Sequence, residues 1–368
     1  MSVVALVGNG LSISYNPEMS VPSLTAEILQ RFERADDELR VIAAETGYGE
    51  PPGFEDLLGP FDAVSAMIRN LPGLRSGEGW SPRFGALGAA LEAAQQIHSR
   101  GTGLALSVIA ERSQIEGAFQ PIDVFCSAIA DLDHPANLTI ATLNYDGLLT
   151  AGFLQEGIYP DWTVHRTLDT SDMGDGRMEE ALAADFADGH SLRTWHLRRI
   201  PDFMAERARL LSLHGSLGWL RNIDDPNDVR RFRIPDLREW DYWNKHSRGE
   251  TRWEPVVALT SRKTELTEEW PFVLGYTEFR RALAEADRWL VAGYGFADAP
   301  VNRAFKSAVR ARQRDNHESR VLVVGHGHPQ HIRALARFRL DIPDAWIRVS
   351  ADGLPDALTN NEWHDWAT

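Results

Sequence analysis

Four short stretches of this sequence place polar side chains where an apolar, strand-like run ends. Thr142-Leu143-Asn144-Tyr145-Asp146 sets a carboxamide and a carboxylate two residues apart, directly after the run Leu138–Thr142. Open α/β sheets bind ligands at the carboxyl ends of their strands, which makes the pair a candidate site. Asn and Asp also serve turns and helix caps through purely local hydrogen bonds. His214 follows the run Leu210–Leu213 and precedes Gly215 and Ser216. An imidazole, with an ordinary pKa of about 6.5, works as a base near neutrality or stands as a structural hydrogen-bonder.

Two glycine turns complete the set. Gly8-Asn9-Gly10-Leu11-Ser12 follows the run Val3–Val7, and Gly293-Tyr294-Gly295-Phe296-Ala297-Asp298 follows Trp289–Ala292. Glycines after a strand let a phosphate approach the backbone, and a helix beginning behind them offers N–H groups and the positive end of its dipole. Each also reads as a tight strand-to-helix turn, the second capped by Asp298. A fifth stretch, with His326, His328 and His331 close together, looks superficially like a metal site. No nearby carboxylate completes a ligand pattern, so no metal is expected there.

The elements that must position these groups alternate. Val3–Val7, Leu138–Thr142, Trp289–Ala292 and Val321–Val324 are short, continuous and aliphatic, as parallel strands covered on both faces are, and Leu210–Leu213 and Val256–Leu259 are further candidates. Helical patterns lie between them. The expected fold is a Rossmann-like, doubly wound α/β parallel sheet in a single domain over 1–368. About 130 mostly helical residues separate the first strand from the second, far more than an ordinary connection needs, so 14–137 reads as a helical insertion or subdomain. Segments 154–206 and 221–252 read as surface insertions, loops or lids. Phe54-Glu55-Asp56 reads as the start of a helix in the first insertion, with ordinary first-turn acids. Trp240, Trp243 and Trp253 read as packing residues. In a doubly wound sheet all the strand ends share one edge, so the four polar motifs converge on one crevice.

Composition narrows the partners. The chain of 368 residues carries 53 acidic and 38 basic side chains, a formal net charge of −15. That balance repels a phosphate backbone, so autonomous nucleic-acid binding is not expected, although Asp228–Arg238 is locally basic. No window approaches about 18 uninterrupted apolar residues, and the first ten residues lack a signal peptide's basic start and cleavage site. Cys126 is the single cysteine, which excludes an intrachain disulfide and a cysteine zinc cluster and fits a cytoplasmic location.

Taken in order, G-x-G-x-S at Gly8–Ser12, T-x-N-Y-D at Thr142–Asp146, L-H-G-S at Leu213–Ser216 and G-Y-G-F-x-D at Gly293–Asp298 resemble the sirtuin-like NAD-binding family. The likeness is to the bacterial branch of NAD-consuming effectors in anti-phage defence. The resemblance implies NAD as substrate, with Gly8, Asn9, Gly10 and Ser12 around its phosphates. It implies Asn144 and His214 at the nicotinamide ribose, with Asp146 ordering the site beside Thr142 and Tyr145. It places Gly293, Gly295, Phe296 and Asp298 along the adenosine half. It further implies an assembly of several copies and a HerA-like ATPase as partner protein. Protein-deacylating sirtuins carry a zinc module held by four cysteines, which one cysteine cannot build, and Leu143 replaces their motif glutamine. The expected activity is therefore NAD glycohydrolysis, giving nicotinamide and ADP-ribose or a cyclic form. A non-catalytic nucleotide-binding module and an ADP-ribosyltransferase or deacylase are the other readings.

Overall fold

The computed structural model of the chain describes residues 2–32, 53–70, 85–114, 120–132, 137–156, 161–162, 182–185, 191–196, 208–259 and 263–368. Its strands, in chain order, are β1 (Ser2–Val7), β2 (Asn137–Thr142), β3 (Asp161–Trp162), β4 (Leu182–Asp185), β5 (Ser191–His196), β6 (Ala208–Ser212), β7 (Gly215–Asn222), β8 (Val229–Phe232), β9 (Trp253–Val257), β10 (Arg288–Ala292), β11 (Arg320–Val324) and β12 (Ile347–Ser350).

Seven of these form one sheet in the order β12-β11-β10-β1-β2-β6-β3, and every neighbouring pair is parallel. Alternation along β1 sends Val3, Ala5 and Val7 into one core and Val4 and Leu6 into another. Helices Phe272–Glu285, Ala299–Arg314 and Pro329–Leu340 cover the second face through Phe279, Val301, Phe305 and Ile332. Helices Gln120–Ala130, Leu148–Gln155 and Asn361–Ala367 cover the first face through Phe125, Phe153 and Trp366. Both faces of the sheet are therefore buried, which is why its strands read as continuous apolar runs. The fold is α/β, Rossmann-like and doubly wound, as expected.

The chain leaves β1 toward β2 on one side and returns to β10 on the other. The sheet therefore has its topological switch point between β1 and β10, where a crevice opens at the carboxyl edge. Register keeps that edge even, because Val7 lies opposite both Thr142 and Ala292.

A third core lies beyond that edge. Helices Val21–Phe32, Phe54–Asn70 and Gly85–Arg112 pack against a second, antiparallel sheet in the order β4-β5-β8-β7-β9. Three expectations change here. Val256 and Val257 belong to β9, antiparallel to β7, not to the parallel sheet. Segment 221–252 is not a surface lid: it carries β8 and two short helices, and Leu237, Trp240, Tyr242 and Trp243 are buried in the third core. Finally, the helix Gln120–Ala130, inside the span read as an insertion, packs on the main sheet. Part of the local basic run is engaged within the fold, while Arg233 stays exposed. Arg230 pairs with Asp228 at 2.8 Å and lies 5.1 Å from the Trp253 ring centroid, and burial lowers Arg231 to about 10. Most of 154–206 lies outside the described residues; β3 from that span adds to the parallel sheet, while β4 and β5 pair in the second.

Candidate functional site

The two glycine turns touch. Gly8 N–H donates to Ala292 O at 2.9 Å and Gly10 N–H donates to Gly293 O at 3.0 Å. A Cβ on Gly8 would sit 2.5 Å from Gly293 O, and one on Gly10 would sit 2.5 Å from Gly293 Cα. Gly293 has φ +62°, a backbone that side-chain-bearing residues rarely adopt. These three glycines let two backbones meet at the switch point. Gly295 differs: its missing Cβ would meet nothing within 4 Å among the described residues, and it forms part of a cavity wall.

Asn144 stands behind the first turn. Its Nδ2 donates to Ser12 Oγ at 2.9 Å and to Gly8 O at 3.2 Å, while its backbone N–H donates to Thr142 Oγ1. Ser12 Oγ in turn donates to Asp146 Oδ2 at 2.6 Å, and Asp146 Oδ1 accepts from Leu148 N–H. Both hydrogens of the carboxamide are thus committed, so its orientation is fixed. Among the described residues, Asn144 Oδ1 is buried without a hydrogen-bond partner. Burial raises the Asp146 carboxyl above its ordinary range, against the opposing hydrogen bonds from Ser12 and Leu148.

His214 lies in the two-residue link between β6 and β7, held by its backbone carbonyl accepting from Ala258 N–H. Its Nε2 is 2.9 Å from Asp298 Oδ2, a close contact that falls short of an aligned hydrogen bond. Both side chains are 5% exposed. The other carboxylate oxygen of Asp298 accepts from Val301 N–H at 2.9 Å and caps the helix Ala299–Arg314. Burial pushes Asp298 upward, but the His214 contact and the helix N–H outweigh it and hold the carboxyl below its ordinary range.

The facing wall comes from the helical insertion. Tyr145 Oη lies 2.9 Å from both Glu55 Oε1 and Ala258 O, so its single proton serves one acceptor at a time. Glu55 also takes Lys263 Nζ at 2.6 Å. Burial, then the Glu55 charge, raises the Tyr145 phenol well above its ordinary value.

Together these groups enclose a cavity of about 490 Å³, a size usual for small-molecule sites. Gly8, Asn9, Asn144, Tyr145, Asp146, His214, Gly293, Gly295 and Asp298 line it from the sheet side. Met19, Val21, Leu24, Phe54, Glu55 and Ile109 roof it from the insertion. Four of the expected site residues stand elsewhere. Gly10 and Thr142 serve the backbone and Ser12 works behind Asn144; none of the three lines the cavity. Phe296, at φ +59°, turns its ring into the core beside Tyr294. Sequence reasoning missed Glu55 and Lys263: a first-turn acid gives no sign that its cation lies 208 residues away. Of the three clustered histidines, His326 forms an isolated antiparallel backbone β-bridge with Asp352, and His328 caps the helix Pro329–Leu340.

Similar solved structures are those of Sir2 proteins. One, from work on the mechanism and regulation of Sir2 enzymes, covers 99% of this chain and 92% of its own at 13% identity and a TM-score of 0.42. Sir2Tm bound to a propionylated peptide covers 89% and 82% at 10% identity and a TM-score of 0.36. A mutant Sir2 homologue in complex with ADP ribose covers 88% and 80% at 15% identity and a TM-score of 0.33. No protein-family model and no curated protein matches the chain.

Proposed function

We propose that this protein hydrolyses NAD at the bond between nicotinamide and ribose. The observation that carries the proposal is that Asn144, whose buried Oδ1 has no hydrogen-bond partner among the described residues, lines the same cavity as the His214–Asp298 pair. An amide oxygen with no protein donor is poised to accept from a ribose hydroxyl or a water. An imidazole within the same wall is poised to take the proton released there. The bond between C1′ and the ring nitrogen breaks with its electron pair going to nicotinamide, which leaves neutral, so no strong general acid is needed. Positive charge passes to the ribose. Among the described residues, Glu55, Asp56, Asp146 and Asp298 line the cavity against one lysine, Lys263, a field that favours a cationic transition state. The water oxygen bonds C1′ and its proton passes to His214. The four-motif resemblance extends the proposal to an NAD-depleting role in anti-phage defence, in several copies and with a HerA-like ATPase partner.

Nicotinamide release from NAD, followed by chromatography, tests the reading. Asn144→Ala and His214→Ala are expected to lower turnover at least about 100-fold, with circular dichroism and melting temperature close to wild type. A turnover near wild type in either variant contradicts the assignment.

A further inference from the structure

We propose that Asp298 is a positioning residue that fixes the tautomer of His214, keeping the proton on Nε2 and presenting Nδ1 as the base. The proposal rests on the NAD-hydrolase reading for its chemistry, and on geometry alone for the tautomer.

An ionised carboxylate accepts and does not donate. Facing Nε2 at 2.9 Å, Asp298 Oδ2 therefore selects the imidazole form that carries hydrogen there. The remaining lone pair belongs to Nδ1, on a ring that lines the cavity. The contact is bent, as catalytic contacts often are before the ligand closes the site.

The loop before Asp298 is built to hold it in this place. A helix cap needs only an Asp, yet the chain reaches this one through a left-handed Phe296, φ +59°, a costly conformation for an aromatic residue. Asn302 Nδ2 pins that residue by donating to Phe296 O at 3.0 Å. Tyr294 Oη accepts from Asp298 N–H at 3.1 Å and donates to Asn302 Oδ1 at 2.8 Å. Backbone and side chain of Asp298 are thus both fixed. The other titratable groups acting on the pair are Lys263, Tyr145, whose ring centroid is 6.2 Å from that of His214, and Tyr276 and Tyr294; Glu55 stands behind Tyr145.

In the reaction the water oxygen bonds C1′, its proton goes to Nδ1, and the bond to nicotinamide breaks toward the ring nitrogen. The imidazolium that forms keeps its Nε2–H on Asp298 and later returns the Nδ1 proton to solvent. Charge and protons balance, and Asp298 stays ionised throughout.

Asp298→Asn is the discriminating variant. Asn caps helices as well as Asp does, so one side-chain oxygen still takes Val301 N–H. Its NH₂ then faces Nε2 and demands a lone pair there, which inverts the tautomer. In wild type, ¹⁵N–¹H long-range spectra of histidine-labelled protein should show His214, assigned by its loss in His214→Gln, with hydrogen on Nε2. In Asp298→Asn the hydrogen should move to Nδ1, kcat should fall at least about 100-fold and KM should stay within about threefold. Adding Asp298→Asn to His214→Ala should cost far less than the sum of the two single losses, because Asp298 acts mainly through the imidazole. Hydrogen on Nδ1 in wild type, an unchanged kcat in Asp298→Asn, or additive losses in the double variant would overturn the proposal. If wild type releases no nicotinamide, the NAD reading fails by itself and the spectra decide the tautomer separately.

Discussion

A carboxamide whose hydrogens are both tied while its oxygen is left buried and unpaired is costly unless something arrives to use it. Asn144 is that group, and its two anchors, Ser12 Oγ and Gly8 O, both come from the turn after β1. The sequence made Asn144, His214 and Asp146 visible because each follows an apolar run by one to four residues. It did not show which glycine makes room for a ligand and which for another backbone, because that depends on the partner turn. The clash distances at Gly293 lead to a direct expectation. Gly293→Ala would force a Cβ to within 2.7 Å of Gly10 Cα at a positive φ. Chemical denaturation should show a loss of about 2–4 kcal/mol, whereas Gly295→Ala, with open space, should fold as wild type does and weaken NAD binding.

At the scale of elements, two βα turns and one inserted helical layer make the cavity. The turns were legible as glycine punctuation after aliphatic strands. The layer's position was not: Phe54–Asn70 reaches the cavity only because it packs on Gly85–Arg112, and no local pattern encodes that docking. The antiparallel sheet escaped for a related reason. β7 follows β6 after two residues, and Gly215 at φ +84° makes the bend that switches sheets. The third core also carries a pH signature. His246 is buried against Tyr242, with Ser99 Oγ near Nε2 and Thr251 Oγ1 near Nδ1, and burial foremost, then the His98 charge, lowers it from 6.5 to about 4. Below pH 6.5 the unfolded chain binds the proton first, so stability falls as pH drops from 6.5 toward 4. The loss should be on the order of 2–3 kcal/mol in urea titrations across that window, and His246→Gln should flatten the slope.

For the whole molecule, the strand order decides where chemistry happens. The switch point between β1 and β10 gathers residues from both ends of the chain, Gly8 and Asp298 among them, into one wall. Alternation of strands and helices was enough to expect that edge, and the expectation that the polar motifs meet there rested on it. The excess of acid over base continues inside the cavity, where it suits a substrate whose reacting end becomes cationic. The most direct test pairs two readings on the same samples: NAD binding by calorimetry and nicotinamide release by chromatography, for wild type and Asn144→Ala. The account predicts that wild type binds and cleaves NAD, while the variant binds it and leaves it whole. Wild type that binds NAD without cleaving it, or a variant that cleaves as wild type does, would contradict hydrolysis at this strand end.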